Sequence, residues 1–277
     1  MSASRFSAVF TKNQSLCASG FRAVWQRNCP IIRLVLILAL DTSSPSGSLA
    51  VLRDDKVIGC VSTSTGEIYS SRMFRHLEFL LKELSLDLKD FDLFAVAAGP
   101  GSFTGLRVGL AAVKGWAEVY RKPIAAISAL EAVAAQSHSQ ASRLVPVLDA
   151  RRAQIYFGIY KRLAKPHENQ LTLEGEECVT TPEEFFGIIS RLKLHGDFTI
   201  ATPVPAAIAG ALSHYETAFP AAAKVRVDEV SAILAPHVGR LGFERAQRGE
   251  LADALTLDAN YVRRTDAELH WKGPAGS

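Results

Sequence analysis

A chain of 277 residues with 48% hydrophobic side chains can bury one large core or two ordinary ones, and this composition excludes a disordered or fibrous protein. Its net charge of +3 comes from the start of the chain: Arg5, Lys12, Arg22, Arg27 and Arg33 precede the first acidic residue, Asp41, and without these five of the 31 basic residues, 26 stand against 28 acidic ones. The near-neutral body argues against a broad nucleic-acid footprint, and the longest apolar run, Leu34–Leu40, is far too short to cross a bilayer.

Residues 1–33, rich in Ser, Ala and Arg, read as a leader outside the fold: an unstructured arm, a transit peptide or the product of an upstream start codon. Leu34–Leu40 suits a central strand buried on both faces. It ends in the polar turn Asp41-Thr42-Ser43-Ser44-Pro45-Ser46-Gly47, after which Ser48–Arg53, the Asp54-Asp55 turn and Lys56–Ser62 continue a three-strand meander. Tyr69–Leu84 has the period of an amphipathic helix, with Met73, Leu77, Leu80 and Leu84 on one stripe, Phe74 and Leu81 beside it, and Arg72, Arg75, Lys82 and Glu83 opposite. Phe91–Ala98 is a buried strand that delivers Gly99-Pro100-Gly101, and a helix over Thr104–Tyr120 follows. Pro123–Ile127 and Ser128–Ser137 add a strand and a helix, which places helices on both faces of a mixed sheet.

The pattern restarts at Arg143. Arg143–Leu148 is an apolar strand ending in Asp149, and Gln154–Lys161 alternates as another, which matches Leu36–Leu40, Asp41, turn and Ser48–Val51 and hints at a duplication. The division is therefore a lobe over 34–142 and a smaller one over 143–277, joined near Ser139–Ser142. Further elements are a strand near Gln170–Val179, a helix over Pro182–Leu192, a strand at Phe198–Ala201 and a helix over Pro205–Leu212. Glu229–Gln247 reads as a long helix with Pro236 as a place for interruption, Leu255–Arg264 as a strand or extended return, and Thr265–Ser277 as a polar tail.

The chemistry these residues offer is sparse. Cys17, Cys29, Cys60 and Cys178 show no CxxC spacing, which argues for a reducing compartment and against a structural zinc site. The seven histidines include no pair three, four or five apart, so no helix presents two imidazoles to one metal. His76 lies with Arg72 and Arg75 on the polar side of its helix. There is no GxxxxGK[ST], GxGxxG or GxSxG motif, and Ser102 in its glycine loop has no nearby base. Asp41 and Asp149 stand at carboxyl ends of buried strands, where α/β proteins place phosphate- and metal-handling groups, and where an Asp also caps a turn. Gly99, Gly101 and Ser102 could cradle a phosphate at a helix N-terminus or simply make a tight connection. Arg107, one turn on, could meet a phosphate or a partner's carboxylate. Gly101, Gly105 and Gly109 open a groove along the helix, and each interior glycine costs roughly 1 kcal/mol relative to alanine. Close packing on the chain's own sheet or on another helix would compensate that cost, and spacing does not choose between them.

Taken together, Ile37-Leu-Ala-Leu-Asp-Thr-Ser43, Gly99-Pro-Gly-Ser-Phe-Thr-Gly-Leu-Arg-Val-Gly109, Val147-Leu-Asp-Ala-Arg151 with Tyr156, and Tyr261-Val-Arg263 resemble the TsaB (YeaZ) family of tRNA threonylcarbamoyladenosine biosynthesis proteins. The resemblance runs in order from about residue 35 to residue 272. It implies a two-lobed actin/sugar-kinase/Hsp70 (ASKHA) α/β fold, each lobe a mixed sheet with helices on its faces. It also implies a cytoplasmic, non-catalytic paralogue of TsaD, the enzyme that transfers threonylcarbamoyl to adenosine 37 of tRNA, with TsaD as heterodimer partner, the ATPase TsaE joining them, tRNA met indirectly and room for a homodimer. In TsaD a helix corresponding to Ser128–Ser137 carries an HxxxH metal pair; those positions align here with Ala129 and Val133, and Glu131 stands between them. The implied state is therefore no metal and no cofactor of its own, with ATP or ADP at most at the interface with TsaD. The helices Tyr69–Leu84 and Thr104–Tyr120 are expected to form that interface, through Leu77, Leu81, Gly105, Arg107, Gly109 and Trp116. An ASKHA enzyme, either a small-molecule kinase or a metallopeptidase, is the alternative.

Overall fold

The computed structural model describes residues 34–64, 69–163, 170–192, 198–219, 225–260 and 262. The leader 1–33, Tyr261 and the chain from Arg263 onward, with the polar tail, lie outside the described residues. Two mixed sheets are present. The first runs in the order β3-β2-β1-β4-β5, from β1 (Leu36–Asp41), β2 (Ser48–Arg53), β3 (Lys56–Ser62), β4 (Leu93–Gly99) and β5 (Ile124–Ser128). β1 pairs antiparallel with β2 and parallel with β4, and β4 pairs parallel with β5.

The second sheet repeats that plan. β6 (Arg143–Arg151) takes the place of β1, with β7 (Gln154–Phe157) and β10 (Cys178–Thr180) on its antiparallel side and β11 (Phe198–Thr202) and β12 (Arg226–Glu229) on its parallel side. β8 (Tyr160–Arg162) and β9 (Leu171–Leu173) extend the sheet beside β6 to seven strands. The two-lobed α/β architecture expected from the resemblance is the one the chain adopts, and the shared strand plan agrees with the restart read at Arg143.

Side-chain alternation on the first sheet explains how its two faces differ. Leu36, Leu38 and Leu40 point to one face, against α1 (Met73–Leu84) and α2 (Phe103–Tyr120). Ile37 and Ala39 point to the other, with Ala50, Ala95, Ala97 and Ala125 beside them. That alanine-lined face receives α6 (Ala235–Arg248), whose Gly239 and Gly242 press on Leu52 and Ala95. A β-carbon at Gly242 would stand 2.8 Å from that of Ala95, so helix and sheet approach closely because both are stripped of bulk. Ser48 at the head of β2 accepts a hydrogen bond from the Ala235 amide at 3.1 Å and caps the helix.

The expected helix over Glu229–Gln247 is thus shorter than its sequence span. Arg226–Glu229 pairs parallel with β11, and the helix begins at Ala235 with Pro236 in its first turn, where a missing N–H costs nothing. The expected strand over Gln170–Val179 is split into β9 and β10 about Gly175, which has φ 84°. The expected helix over Pro205–Leu212 is a single tight turn followed by α5 (Ala209–Ala218), and α4 (Pro182–Arg191) precedes it as anticipated. Between the lobes lies α3 (Ala129–Ala134), with every residue buried: Ala129, Ala132 and Val133 join the core under α6, and Leu130 and Ala134 join Leu144, Tyr156 and Tyr160 of the second lobe. The chain then returns to the first lobe: Ala252 bridges to Ile124, Leu257 is buried in the same core cluster as Leu106 and Ile124, and the Asn260 amide donates to the Ala98 carbonyl at 2.7 Å.

Candidate functional site

The glycine turn and the end of β1 are one unit. Asp41 has no exposed surface, and its Oδ1 accepts from the amide and hydroxyl of Ser43 at 2.8 and 2.6 Å while Oδ2 accepts from the Ser44 hydroxyl at 3.1 Å. Burial raises its carboxyl above the ordinary range, and the Ser43 and Ser44 hydrogen bonds oppose that rise. Asp41 therefore closes its own turn with both oxygens. Thr42 donates from its hydroxyl to the Gly105 carbonyl at 2.7 Å, and the Ser102 amide donates to the Ser43 carbonyl at 2.8 Å. Ser102 caps α2 by accepting from the Gly105 amide at 3.3 Å.

These contacts decide what the three glycines are for. A β-carbon at Gly101 would lie 2.6 Å from the Ser43 carbonyl oxygen, one at Gly105 would overlap the Thr42 carbonyl oxygen, and one at Gly109 would overlap the Thr42 hydroxyl. The room they open is filled by the chain's own first turn. The groove read as a seat for a partner helix is thus an intrachain seam, and Gly105 and Gly109, both buried, do not face a partner. Gly99, with φ 121°, is held on its other side by the Asn260 carbonyl, 2.5 Å from where a β-carbon would sit.

The second lobe's matching turn is built differently. Asp149 is exposed and accepts from the Arg151 amide at 2.7 Å, and Arg151, Arg152 and Ala153 are all left-handed, at φ 59°, 54° and 56°. The turn after Asp149 is thus made of non-glycine residues and offers no glycine cradle. Ala129 and Val133, aligned with a metal pair, are fully buried and apolar. Glu131 between them binds Arg245 of α6, oxygen to nitrogen 2.5 Å, and burial raises its carboxyl despite that cation. Among the described residues no group of His, Cys, Asp and Glu could hold a metal ion.

The remaining interface candidates divide by exposure. Leu77 is 5% exposed and belongs to the core under α1. Leu81 is half-buried, Trp116 is half-buried with its ring tilted against Phe94 at 5.8 Å, and Arg107 is exposed with its guanidinium 3.8 Å from the Phe103 ring centroid. Phe74, read as part of the inner face, is 56% exposed. Phe74, Leu77, Glu78, Leu81 and Lys82 of α1, with Leu86 and Asp87 beyond it, line an open groove with a volume near 460 Å³. An apolar floor with a Glu, Lys and Asp rim is the form of a protein-docking surface rather than a small-molecule pocket. His76, on the same helix, meets the Tyr69 hydroxyl at 3.1 Å; burial and then Arg72 and Arg75 lower its pKa, so it is neutral at pH 7. Arg72, placed by its spacing on the polar side of the helix, is 6% exposed and donates to the Thr63 hydroxyl at 2.5 Å.

Comparison with known proteins places this geometry in a family. The model of the family described as TsaD, tRNA N6-adenosine threonylcarbamoyltransferase, matches residues 54–232, well over half of the chain. The tRNA threonylcarbamoyladenosine biosynthesis protein TsaB of Bacillus subtilis is 38% identical over 125 residues, 45% of this chain and 55% of that protein. TsaB of Escherichia coli is 31% identical over 150 residues, 53% of this chain and 63% of that protein. The match therefore spans less than two thirds of the length of these curated relatives. YeaZ of Pseudomonas aeruginosa superposes with a TM-score of 0.63 at 25% identity, over 81% of this chain and all of that one. The strand plan and these matches agree: the chain belongs to the TsaD family, and the relatives and solved structures it resembles include TsaB (YeaZ) proteins.

Proposed function

We propose that this chain is a non-catalytic partner of TsaD in forming threonylcarbamoyladenosine at position 37 of tRNA, and that it docks through the α1 groove. The observation that carries the reading is the exposed Phe74 above the half-buried Leu81, in a helical stripe rimmed by Glu78, Lys82 and Asp87. The absence of chemistry of its own is supported by the way Asp41 and Glu131, the two buried carboxylates among the described residues, are each taken up by neighbouring side chains. TsaE joins the pair, tRNA is met through TsaD, and ATP or ADP belongs to the interface with TsaD rather than to this chain. A second copy of this chain could use the same groove when TsaD is absent. No helix among the described residues is long and apolar enough to cross a membrane, and the cytoplasm, where tRNA is modified, is the proposed compartment.

The test is a Phe74→Asp variant, whose exposed position leaves the fold intact. It is expected to lose at least tenfold in affinity for TsaD from the same organism, and to fail to restore threonylcarbamoyladenosine in tRNA hydrolysates of a depletion strain. Full capture of TsaD by this variant would remove the groove from the reading, and a depletion strain with normal threonylcarbamoyladenosine would remove the pathway.

A further inference from the structure

The residues that join the two lobes converge on one carboxylate. Glu177, in the stretch leading into β10, accepts at Oε1 from the Ser128 hydroxyl and from the Tyr160 hydroxyl, the latter at 2.5 Å, and at Oε2 from the Asn260 side-chain amide at 2.5 Å. Each donor comes from a different part of the fold: Ser128 ends β5 and caps α3 by accepting from the Leu130 and Glu131 amides, Tyr160 lies in β8, and Asn260 belongs to the C-terminal return. Asn260 in turn fixes the glycine turn through its amide on Ala98 and its carbonyl over Gly99. One side chain of the second lobe thus reaches the end of the first lobe's sheet, the inter-lobe helix and the turn before α2.

We propose that Glu177 is the clasp that holds the two lobes together in one arrangement and, through Asn260, fixes the glycine turn. A carboxylate has two oxygens and about four acceptor sites, so it can take three donors from three segments at once, whereas an amide or hydroxyl cannot. Burial and the Glu177 charge push the Tyr160 phenol far above its ordinary range, so that arm remains a donor throughout the physiological pH range. Loss of the clasp frees Asn260, and with it the carbonyl that closes over Gly99. The lobes then sample open arrangements and the glycine turn loosens, while α1, packed on β2 and β3 at the edge of the first sheet opposite β5, is unaffected.

Hydrogen–deuterium exchange on the full chain tests the proposal, with Glu177→Ala as the variant. Amides of residues 98–102, 128–131 and 257–260 are expected to exchange at least tenfold faster, with those of 77–84 unchanged. Unchanged exchange at 98–102 and 128–131 would overturn the clasp, and so would acceleration spread evenly over both lobes, the mark of general destabilisation. Should Glu177→Ala fail to fold, Tyr160→Phe and Asn260→Ala each remove one arm: Asn260→Ala is expected to speed exchange at 98–102, and Tyr160→Phe at 128–131. No acceleration in either single-arm variant would equally refute it.

Discussion

Asp41 ends the first strand of its lobe and Asp149 lies two residues before the end of the matching strand β6, yet the first has no exposed surface and the second is exposed. Around Asp41, Thr42 and Ser43 interlock with Gly101, Gly105 and Gly109 at distances that admit no side chain. Around Asp149 the chain runs through three consecutive left-handed residues, and the glycines of α4 and α5, Gly187 and Gly210, have nothing within 4 Å of where a β-carbon would be. One strand plan is therefore closed in two ways, tightly where α2 must lie on β1 and loosely where short helices cover the second sheet. The contrast shows that the glycine signature records how closely the backbone of one turn approaches the next helix.

The strongest way to break this comparison is to fill the tight seam. Gly105→Val places a branched side chain against the Thr42 backbone, which cannot yield, and is expected to cost about 3 kcal/mol or to prevent folding, read as the shift in a urea midpoint. The lobe junction comes next. Arg245→Met leaves Glu131 buried without its cation and is expected to cost about 2 kcal/mol at neutral pH. Because burial already raises the Glu131 carboxyl in the folded state, protonation favours folding, and stability carried by that proton is lost as pH rises through the folded-state value. Without Arg245 the value rises further, so the gap between variant and parent should narrow as pH falls towards 4 in urea titrations. A gap independent of pH would mean that Glu131 is not the group left exposed to the loss.

Smaller effects sharpen the contrast between the two aspartates. Asp41 is likewise raised by burial, so its charged form is a cost at neutral pH. Asp41→Asn keeps the Oδ1 acceptor for Ser43 and removes that charge, and is expected to leave stability within about 1 kcal/mol of the parent at pH 7 or to improve it. Asp149→Asn, at an exposed turn, should change almost nothing. A large loss in Asp41→Asn would show that the carboxylate itself is needed there. Gly187→Ala, in the exposed interior of α4, should stabilise by about 0.5–1 kcal/mol, measured as a rise in thermal midpoint. The same exchange at Gly105 has the opposite sign, and this pair is the most direct comparison of the two lobes.

Much of the local structure was legible in the chain. The apolar run Leu34–Leu40, the turn at Asp41 and the strand, glycine turn and helix around Gly99 follow from periodicity and from turn chemistry, which act over a few residues. The restart at Arg143 was legible because a duplicated lobe repeats its local pattern. The use of the glycines was not: Gly101, Gly105 and Gly109 report a close approach without naming the partner, and only the pairing of β1 with β4 brings Thr42 against α2. Phe74 and Leu77 are both apolar on one helix, and the way α1 lies on the sheet, not their spacing, leaves one exposed and buries the other. Ser128, Tyr160, Glu177 and Asn260 share no motif and no period, and meet because two lobes and a returning C-terminal segment converge. Sequence by itself determined most elements of the first lobe and the restart of the pattern at Arg143, since those depend on local pattern. The tertiary structure decided which surfaces are filled from within and which stay open, because a side chain's surroundings are set by residues far along the chain.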